Sequence, residues 1–211
     1  MGKLIPEMTS KILSCILCFS IAVLSMASPA SAQDIARFTN KNNSGQSAVV
    51  DLQNGQLQIF PALQQQGQNR KRDGYLDYTV ANGSLDLNTI LAGNQGQGLG
   101  SIMMLAFARQ ANRQNRAQVR VMPPVAPTAR NFYTQMGFII DGTDPTLQVV
   151  LNHLQQNVWN NNQLTPQQML NATNNSLGGV RMIGNTANVL ANSQASVNQR
   201  WTLQWSDRNN W

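Results

Sequence analysis

The chain has 211 residues, with 15 lysines and arginines, nine acidic residues and one histidine, and its net charge is +6. This length fits one ordinary domain, with or without a tail. His153 is the only histidine, and Cys15 and Cys18 are the only cysteines, so the composition nearly excludes a zinc site. A nucleophilic site that needs histidine would have to use His153, which we expect on a solvated helix face. We therefore expect no metal cofactor.

The first 32 residues have the features of a secretory signal peptide. Lys3 and Lys11 precede an apolar run at 12–27, and Ala30-Ser31-Ala32 is a small-residue cleavage site. The apolar run is shorter than the ~20 residues that span a bilayer, so an uncleaved membrane anchor is the less favoured alternative. We expect a secreted or periplasmic protein that has no membrane attachment after cleavage.

Signal cleavage would limit the chemistry that the remaining chain can perform. Both cysteines lie in the apolar run, and Glu7 is the only glutamate of the sequence. Without Lys3, Lys11 and Glu7 the chain keeps 13 basic and 8 acidic residues, a net charge of +5. Any carboxylate that takes part in catalysis would then be one of these aspartates: Asp34, Asp51, Asp73, Asp77, Asp86, Asp141, Asp144 or Asp207.

The densest basic run is Arg70-Lys71-Arg72, with Tyr75 and Tyr78 close behind it. Basic and aromatic residues together are typical of nucleic-acid binding, but no RNA or DNA motif accompanies them and the net charge is modest. We interpret the run as a solvated loop and expect no nucleic-acid partner.

The first half of the expected mature chain contains several sequence patterns that predict strands. Residues 33–46 lack hydrophobic periodicity and predict a flexible leader, so the domain is expected to begin at 47. Two hairpins follow, with strands at 48–53 and 56–60 around Asn54-Gly55, and at 75–80 and 84–91 around Asn82-Gly83. The polar segment 61–74 between the hairpins is expected to be a loop.

A glycine-rich loop from Gly93 to Gly100 follows the second hairpin and leads into an apolar run that predicts a helix to about Asn115. A short strand at 117–122 then ends before Pro123-Pro124. This order predicts a crossover unit with two parallel strands, and it places the loop at the carboxyl end of the first strand. Closely spaced glycines at a helix N-terminus expose backbone N–H groups, which makes the loop a candidate phosphate cradle.

The last third of the chain gives weaker signals. A short helix at 127–136 ends at Gly137 and leads into a strand at 138–140. Helices are predicted at 145–159 and 164–173, and segments 180–183 and 201–205 are candidates for strands that return to the sheet. We expect 47–140 to be the core domain and 141–211 to be an extension packed on it.

Two motifs carry a resemblance to a known family. Gln95-Gly96-Gln97-Gly98-Leu99-Gly100 is a Gln-x-x-Gly-x-Gly loop, and Tyr133 follows Gly98 by 35 residues within Phe-Tyr-x-x-x-Gly-Phe at 132–138. Over about residues 75–140 the chain resembles the GNAT superfamily of acyl-CoA-dependent N-acetyltransferases. The resemblance implies an α/β fold with a mixed sheet, N-terminal antiparallel hairpins, a central acyl-CoA loop and helix crossover, and a divergent helical C-terminal region.

The resemblance also implies roles for individual residues. Backbone N–H groups of the loop would hold the pyrophosphate of acetyl-CoA, and the strand before it would present main-chain groups to the pantetheine and thioester. The residues assigned to this binding are Asn88, Ile90, Leu91, Gln95, Gly96, Gln97, Gly98, Leu99, Gly100 and Ser101. Tyr133 matches the position that in many members protonates the leaving thiolate, a suitable task for a phenol. The alternative is an aromatic side chain that only packs on the sheet.

The chain departs from the family pattern at three places. Ala126 stands where the family often has an asparagine that contacts pantetheine, and no glutamate is present near Ser84 to act as the base. Asp86 lies on the same strand face as Ser84, so it is the candidate base, directly or through a water, unless it is only a surface aspartate. The segment 61–74 also leaves little room for the two helices that shape the acceptor site in the family.

The resemblance and the signal together predict an exported N-acetyltransferase. It would transfer an acetyl group from acetyl-CoA directly to an amine of a protein or small molecule, without a covalent enzyme intermediate. Because acetyl-CoA is a cytosolic metabolite, a bacterial effector or toxin that acts inside a target cell is one coherent role. The alternative is a catalytically degenerate GNAT-like module that is secreted to bind a partner. The sequence determines neither the acceptor nor the oligomeric state.

Overall fold

A computed structural model of the chain describes residues 33–53, 56–61, 72–93 and 96–211. The expected signal peptide, the Asn54-Gly55 turn, most of the 61–74 loop and Gln95 lie outside the described residues. Contacts divide the chain into Met1–Ser31 and Ala32–Trp211, and every described residue belongs to the second unit.

The described residues begin with five consecutive strands, which helices and four further strands follow. The strands are β1 (Gln33–Asn40), β2 (Asn43–Gln53), β3 (Gln56–Pro61), β4 (Gly74–Ala81), β5 (Ser84–Ala92), β6 (Gln118–Val121), β7 (Ile139–Ile140), β8 (Met182–Asn185) and β9 (Trp201–Ser206). The helices are α1 (Leu99–Arg113), α2 (Pro127–Gln135), α3 (Pro145–Leu154), α4 (Pro166–Ser176) and α5 (Thr186–Arg200). A π-helical turn, Gln155–Trp159, extends α3, and a 3-10 turn, Leu177–Gly179, follows α4.

The strands form one mixed sheet in the order β7-β8-β6-β5-β4-β3-β2-β1-β9. The β5 and β6 strands are parallel, as the crossover prediction requires, and the other neighbours whose register is described are antiparallel. Both predicted hairpins are present, as β2–β3 and β4–β5, and Gly83 takes the positive φ of +81° in the second turn. The expected mixed α/β fold is therefore confirmed.

The expectation of a flexible leader at 33–46 is wrong. Gln33–Asn40 is β1, and β2 begins at Asn43. Ile35 and Phe38 are fully buried, and β1 pairs with β2 on one side and with β9 on the other. Because β9 is supplied from the far end of the chain, the polar composition of this segment gives no sign of the strand.

The C-terminal third adds strands to the sheet as well as helices. The β8 strand lies between β6 and β7, and β9 lies at the opposite edge beside β1. Its helices begin at residues that cap helix N-termini. Asp144 accepts a hydrogen bond from the Thr146 N–H at 2.9 Å, Thr165 and Gln168 form a capping box, and Asn185 caps α5.

The hydrophobic core lies on one face of the sheet and encloses α1. Leu85 and Leu87 of β5 and Val119 and Val121 of β6 all contribute to it. Nearly every α1 side chain up to Ala111 is buried, because the sheet covers one side of the helix and α5 packs against another. The α2 and α5 helices complete this layer beside α1.

Candidate active site

The β5 and β6 strands separate at the point where their pairing ends. They are in register from Ser84 with Gln118 to Leu87 with Val121, and the Met122 N–H donates the last bond to the Leu87 carbonyl at 2.9 Å. The β5 strand continues to Ala92 beside β4 alone, among the described residues. The main-chain groups of β5 beyond Leu87 on that side are thus available to a ligand.

A β-bulge marks the same point of β5. Asp77 of β4 lies opposite Thr89 while Tyr78 lies opposite Leu87, so Asn88 has no opposite residue. A bulge changes which side chains of a strand face the core. Ile90 accordingly packs against the core, whereas Asn88 is exposed.

The glycine-rich loop lies between the end of β5 and α1. The Gly93 N–H donates to the Asp73 carbonyl at 2.5 Å, and a Cβ atom on Gly93 would stand 2.7 Å from that oxygen. Gly96 and Gly98 have φ values of +82° and +79°, a region that L side chains rarely adopt. A Cβ atom on Gly96 would meet nothing within 4 Å. At Gly96 the loop therefore exposes its backbone, with no side chain in front of it.

The N-terminus of α1 has features that suit an anion. Its N-cap, Gly98, offers no side-chain cap, and its first turn holds no acidic residue. The free N–H groups and the positive end of the helix dipole both favour negative charge there. The side chain of Ser101 faces α5, since its Oγ lies 2.9 Å from Ser196 Oγ.

Two residues of the C-terminal segment hold the loop, and no sequence signal indicated them. The Trp201 indole N–H donates to the Gln97 carbonyl at 3.1 Å, and the Arg200 guanidinium donates to the Gly96 carbonyl. A third contact comes from β2, where the Gln46 amide donates to Gln97 Oε1 at 2.6 Å.

Tyr133 lies on α2 in an aromatic cluster beside the start of α1. Its ring makes edge contacts with Phe132 and Phe138, at centroid distances of 5.5 and 5.9 Å. Phe132 in turn reaches α1, since a Cβ atom on Gly100 would lie 3.4 Å from its Cζ. Burial raises the pKa of Tyr133 to about 12, so the phenol is fully protonated at neutral pH.

Asp86 lies on the other face of the sheet. Its carboxylate is half-buried and accepts a hydrogen bond from Ser84 Oγ at 2.8 Å, which places both side chains on one face as the sequence predicts. Its neighbours across the strands are Thr79 of β4 and Arg120 of β6. The sequence analysis did not single out Arg120 as a neighbour of Asp86.

A comparison with known protein families shows the family of this chain. The family described as acetyltransferase (GNAT) domain matches residues 26–175, which is more than half of the chain. The chain belongs to the GNAT acetyltransferase family. A comparison with curated proteins gave no match.

Solved GNAT structures resemble the chain only distantly. Ard1 from Thermoplasma volcanium is 20% identical, over 42% of this chain and 57% of that one, with a TM-score of 0.35. The PaiA N-acetyltransferase from Thermoplasma acidophilum, solved in complex with coenzyme A, is 14% identical over 43% of this chain and 54% of that one, also with a TM-score of 0.35. Nourseothricin acetyltransferase is 13% identical over 74% of this chain and 86% of that one, with a TM-score of 0.38. The matched part spans little more than half of the first two proteins.

The GNAT domain brings together most of the residues that the sequence assigned to acetyl-CoA. Asn88, Ile90 and Leu91 lie on the part of β5 that has left β6, and Gly96 to Ser101 form the described part of the loop and the first turn of α1. Gln95 lies outside the described residues. Leu99 is buried in the core, so only its main chain could serve a ligand. The binding roles of all these residues stay predictions.

The described part of this GNAT domain contains neither a candidate metal cluster nor a candidate membrane-spanning helix. No group of three or more histidine, cysteine, aspartate or glutamate side chains there is placed to hold a metal ion. No helix in the same residues combines the length and the hydropathy needed to cross a membrane.

Proposed function

We propose that this GNAT domain is an N-acetyltransferase that transfers an acetyl group from acetyl-CoA directly to an amine. One observation carries the proposal: the unpaired edge of β5, from Asn88 to Ala92, runs straight into the glycine loop at the start of α1. A pantetheine arm has amide groups that can pair with such an edge, and it ends in a pyrophosphate that suits a helix N-terminus.

The residues present fit an acyl-CoA. The space beside Gly96 leaves the loop backbone accessible, and the first turn of α1 has no carboxylate to repel a phosphate. The N–H groups from Gly96 to Gly100 would hold the pyrophosphate, since the Ser101 N–H already donates to the Gly98 carbonyl at 3.1 Å. Main-chain groups of Asn88 to Leu91 would orient the pantetheine and thioester.

Two side chains would move the protons. Asp86 would accept the proton that the amine loses, directly or through a water, as the nitrogen bonds to the thioester carbon. Tyr133 would donate its phenolic proton to the thiolate as the carbon–sulfur bond breaks. The thioester of acetyl-CoA supplies the acyl group, and no covalent bond to the protein is needed. The raised pKa keeps the phenol protonated at neutral pH, and it also makes Tyr133 a weaker proton donor than an ordinary phenol.

Export is the second part of the proposal, and the N-terminal sequence pattern alone supports it. A secreted acetyltransferase would meet acetyl-CoA inside a target cell, which is the setting of a bacterial effector or toxin. Cell fractionation with N-terminal sequencing tests this part. A mature chain that begins at Gln33 outside the cytosol supports export, and an intact N-terminus in the cytosol overturns it.

The test of acetyl-CoA binding uses two glycines that share a backbone conformation. Gly96 and Gly83 have φ values of +82° and +81°, and a Cβ atom on either would meet nothing within 4 Å. Gly96→Asp and Gly83→Asp thus impose similar strain and the same charge, but only the first lies in the loop. Calorimetry should show acetyl-CoA binding by the unchanged chain and by Gly83→Asp, and binding at least tenfold weaker by Gly96→Asp. Equal binding by both variants would contradict the site.

The reaction itself can be tested by measuring the release of free thiol from acetyl-CoA. The amines offered would be lysine peptides, polyamines and other primary amines.

The competing function is a secreted binding module that has lost catalysis. Ala126 favours it, since this residue is the N-cap of α2 and offers no side-chain hydrogen bond. Tight acetyl-CoA binding without thiol release from any amine would favour the module over the enzyme.

A further inference from the structure

The two consecutive carbonyls in the middle of the loop are both held by the junction of α5 and β9. The Gly96 carbonyl accepts from the Arg200 guanidinium, and the Gln97 carbonyl accepts from the Trp201 indole at 3.1 Å. The loop also touches both side chains, since a Cβ atom on Gly98 would lie 3.1 Å from the Trp201 nitrogen and 3.5 Å from Arg200 Cδ.

Because the peptide group is planar, the direction of each held carbonyl determines the direction of the N–H group of the next residue. In a trans peptide the carbonyl and the N–H of the next residue point in opposite directions. With the Gly96 carbonyl directed at Arg200, the Gln97 N–H points away from the junction. The Gly98 N–H does the same, because the Gln97 carbonyl is directed at Trp201. Two successive donors thus face the side where an anion would bind, and the carbonyls that would repel it are occupied.

The junction is itself firmly placed. Trp201 is 1% exposed and pairs with Asn40 of β1. The Lys41 N–H donates to the Arg200 carbonyl at 2.8 Å, and Lys41 Nζ donates to the Asn198 carbonyl at 2.5 Å. The loop is therefore tied to a sheet edge that the N-terminal and C-terminal strands build together.

We propose that Arg200 and Trp201 are positioning residues of the acyl-CoA loop, which hold the Gly96 and Gln97 carbonyls so that the Gln97 and Gly98 N–H groups face the pyrophosphate. The inference rests on the proposed function and goes further, because it gives the C-terminal segment a part in binding the donor. Catalytic groups are not involved, so the effect falls on acetyl-CoA affinity.

The first test compares two tryptophans of β9 in the full chain. Trp201→Phe removes the indole N–H and keeps an aromatic ring, while Trp205→Phe makes the same change at a residue that is 51% exposed. We expect Trp201→Phe to raise the Kd and the KM for acetyl-CoA about 3- to 10-fold, the range for one hydrogen bond. The kcat and the KM for the amine should stay within about twofold, and Trp205→Phe should match the unchanged chain.

The second test uses Arg200, whose exposed side chain can be changed without opening the core. Arg200→Gln should raise the Kd for acetyl-CoA by a similar factor, and Arg200→Lys should restore part of the affinity because it keeps a cationic donor. Arg208→Gln, an exposed arginine beyond β9, is the matched control. Hydrogen exchange of the Ser101 and Ile102 amides, which both donate to the Gly98 carbonyl, gives a readout without ligand and should be faster in Trp201→Phe and Arg200→Gln.

The outcomes separate the two proposals. If the unchanged chain binds acetyl-CoA and both variants bind it equally well, the positioning role is overturned and the proposed function stands. If kcat falls while the KM for acetyl-CoA is unchanged, the positioning role is also overturned. If the unchanged chain binds no acetyl-CoA, the proposed function fails, and the role of Arg200 and Trp201 in donor binding fails with it.

Discussion

Asp86 and Tyr133 lie on opposite faces of the sheet. Leu85 and Leu87, the neighbours of Asp86 on β5, are buried in the core cluster that contains Tyr133, and strand alternation turns Asp86 to the other face. The pairing of β5 with β6 ends after Leu87, and the proposed reaction would take place at that separation. In the proposed reaction the amine would lose its proton on one face, and the thiolate would gain one from the other.

Replacing Tyr133 tests its role as the acid. Tyr133→Phe should lower kcat by about 10²- to 10⁴-fold, the usual contribution of a positioned acid, and should leave the Kd for acetyl-CoA unchanged. Tyr75→Phe, a half-exposed tyrosine of β4, is the control and should keep full activity. Steady-state kinetics with calorimetry measures both quantities. A kcat within threefold of the unchanged chain would show that Tyr133 only packs.

Tyr133 should also make stability depend on pH in alkaline solution. Burial raises its pKa to about 12 from the ordinary 10 of an unfolded chain. Below pH 10 the phenol is protonated in both states, and its contribution is constant. Between pH 10 and 12 the unfolded chain loses a proton that the folded protein keeps, so the free energy of unfolding falls as pH rises. The loss approaches roughly 3 kcal/mol at the upper end.

Urea unfolding at several pH values checks this expectation. Tyr133→Phe should flatten the decline above pH 10 relative to the unchanged chain. Part of the slope that remains comes from Tyr78. Burial raises the pKa of Tyr78 as well, and the positive charge of Arg113 partly opposes this increase. Parallel curves for the two proteins would refute the assignment to Tyr133.

Asp86 can be tested against a carboxylate on the same sheet face. Asp77 of β4 accepts a hydrogen bond from the Gln56 amide, as Asp86 does from Ser84. Asp86→Asn should lower kcat by about 10²-fold or more, and Asp77→Asn should change it little. The rate of thiol release at saturating acetyl-CoA gives the comparison. Similar rates for both variants would remove Asp86 as the base.

The ion pair of Asp141 and Arg181 is expected to stabilise the C-terminal third. Arg181 Nε lies 2.7 Å from Asp141 Oδ2, and the Asp141 side chain is 2% exposed. Burial alone would raise the pKa of Asp141, but hydrogen bonds from Thr143 and Arg181 and the Arg181 charge outweigh it and lower the pKa. Stability from this group is thus present above pH ~4 and is lost as pH falls further.

Removing the cation leaves that carboxylate buried without its charge partner. Arg181→Ala should cost about 3 kcal/mol of unfolding free energy at pH 7, and the cost should shrink in acid. Arg208→Ala, an exposed arginine, is the control and should cost under about 0.5 kcal/mol. Denaturant unfolding at pH 7 and pH 3 provides the measurement. An equal cost at both pH values would show that the loss comes from packing.

Trp211 should anchor the C-terminal tail to the core. Its ring makes an edge contact with Phe38 at 5.5 Å and lies 4.9 Å from the Arg109 guanidinium carbon. The ring is 8% exposed. Trp211→Ala should destabilise the domain by about 3 kcal/mol, whereas Trp205→Ala, at an exposed position, should cost much less. Thermal unfolding of both variants measures the two losses of stability. Equal losses would contradict the role of Trp211 as an anchor of the C-terminal tail.

The sequence predicted the elements that local signals encode. Asn82-Gly83 between two alternating runs was enough to predict the β4–β5 hairpin. Turn residues and period-two alternation are properties of residues that are neighbours in the chain. The glycine loop, the helix after it and the strand before Pro123 predicted the parallel β5–β6 pair for the same reason. The spacing from Gly98 to Tyr133 then indicated the GNAT family.

Only the tertiary structure showed what distant segments do to that loop. The sequence of residues 33–40 predicts a polar leader, but in the structure this segment is a strand that pairs with β9. The Trp201 indole donates to the Gln97 carbonyl although the two residues are 104 positions apart in sequence. The sequence by itself determined the local elements, the crossover and the family, since each depends on residues close together in the chain. The fold decided which face Asp86 occupies and which residues hold the loop, since pairing and burial join residues that no local pattern connects.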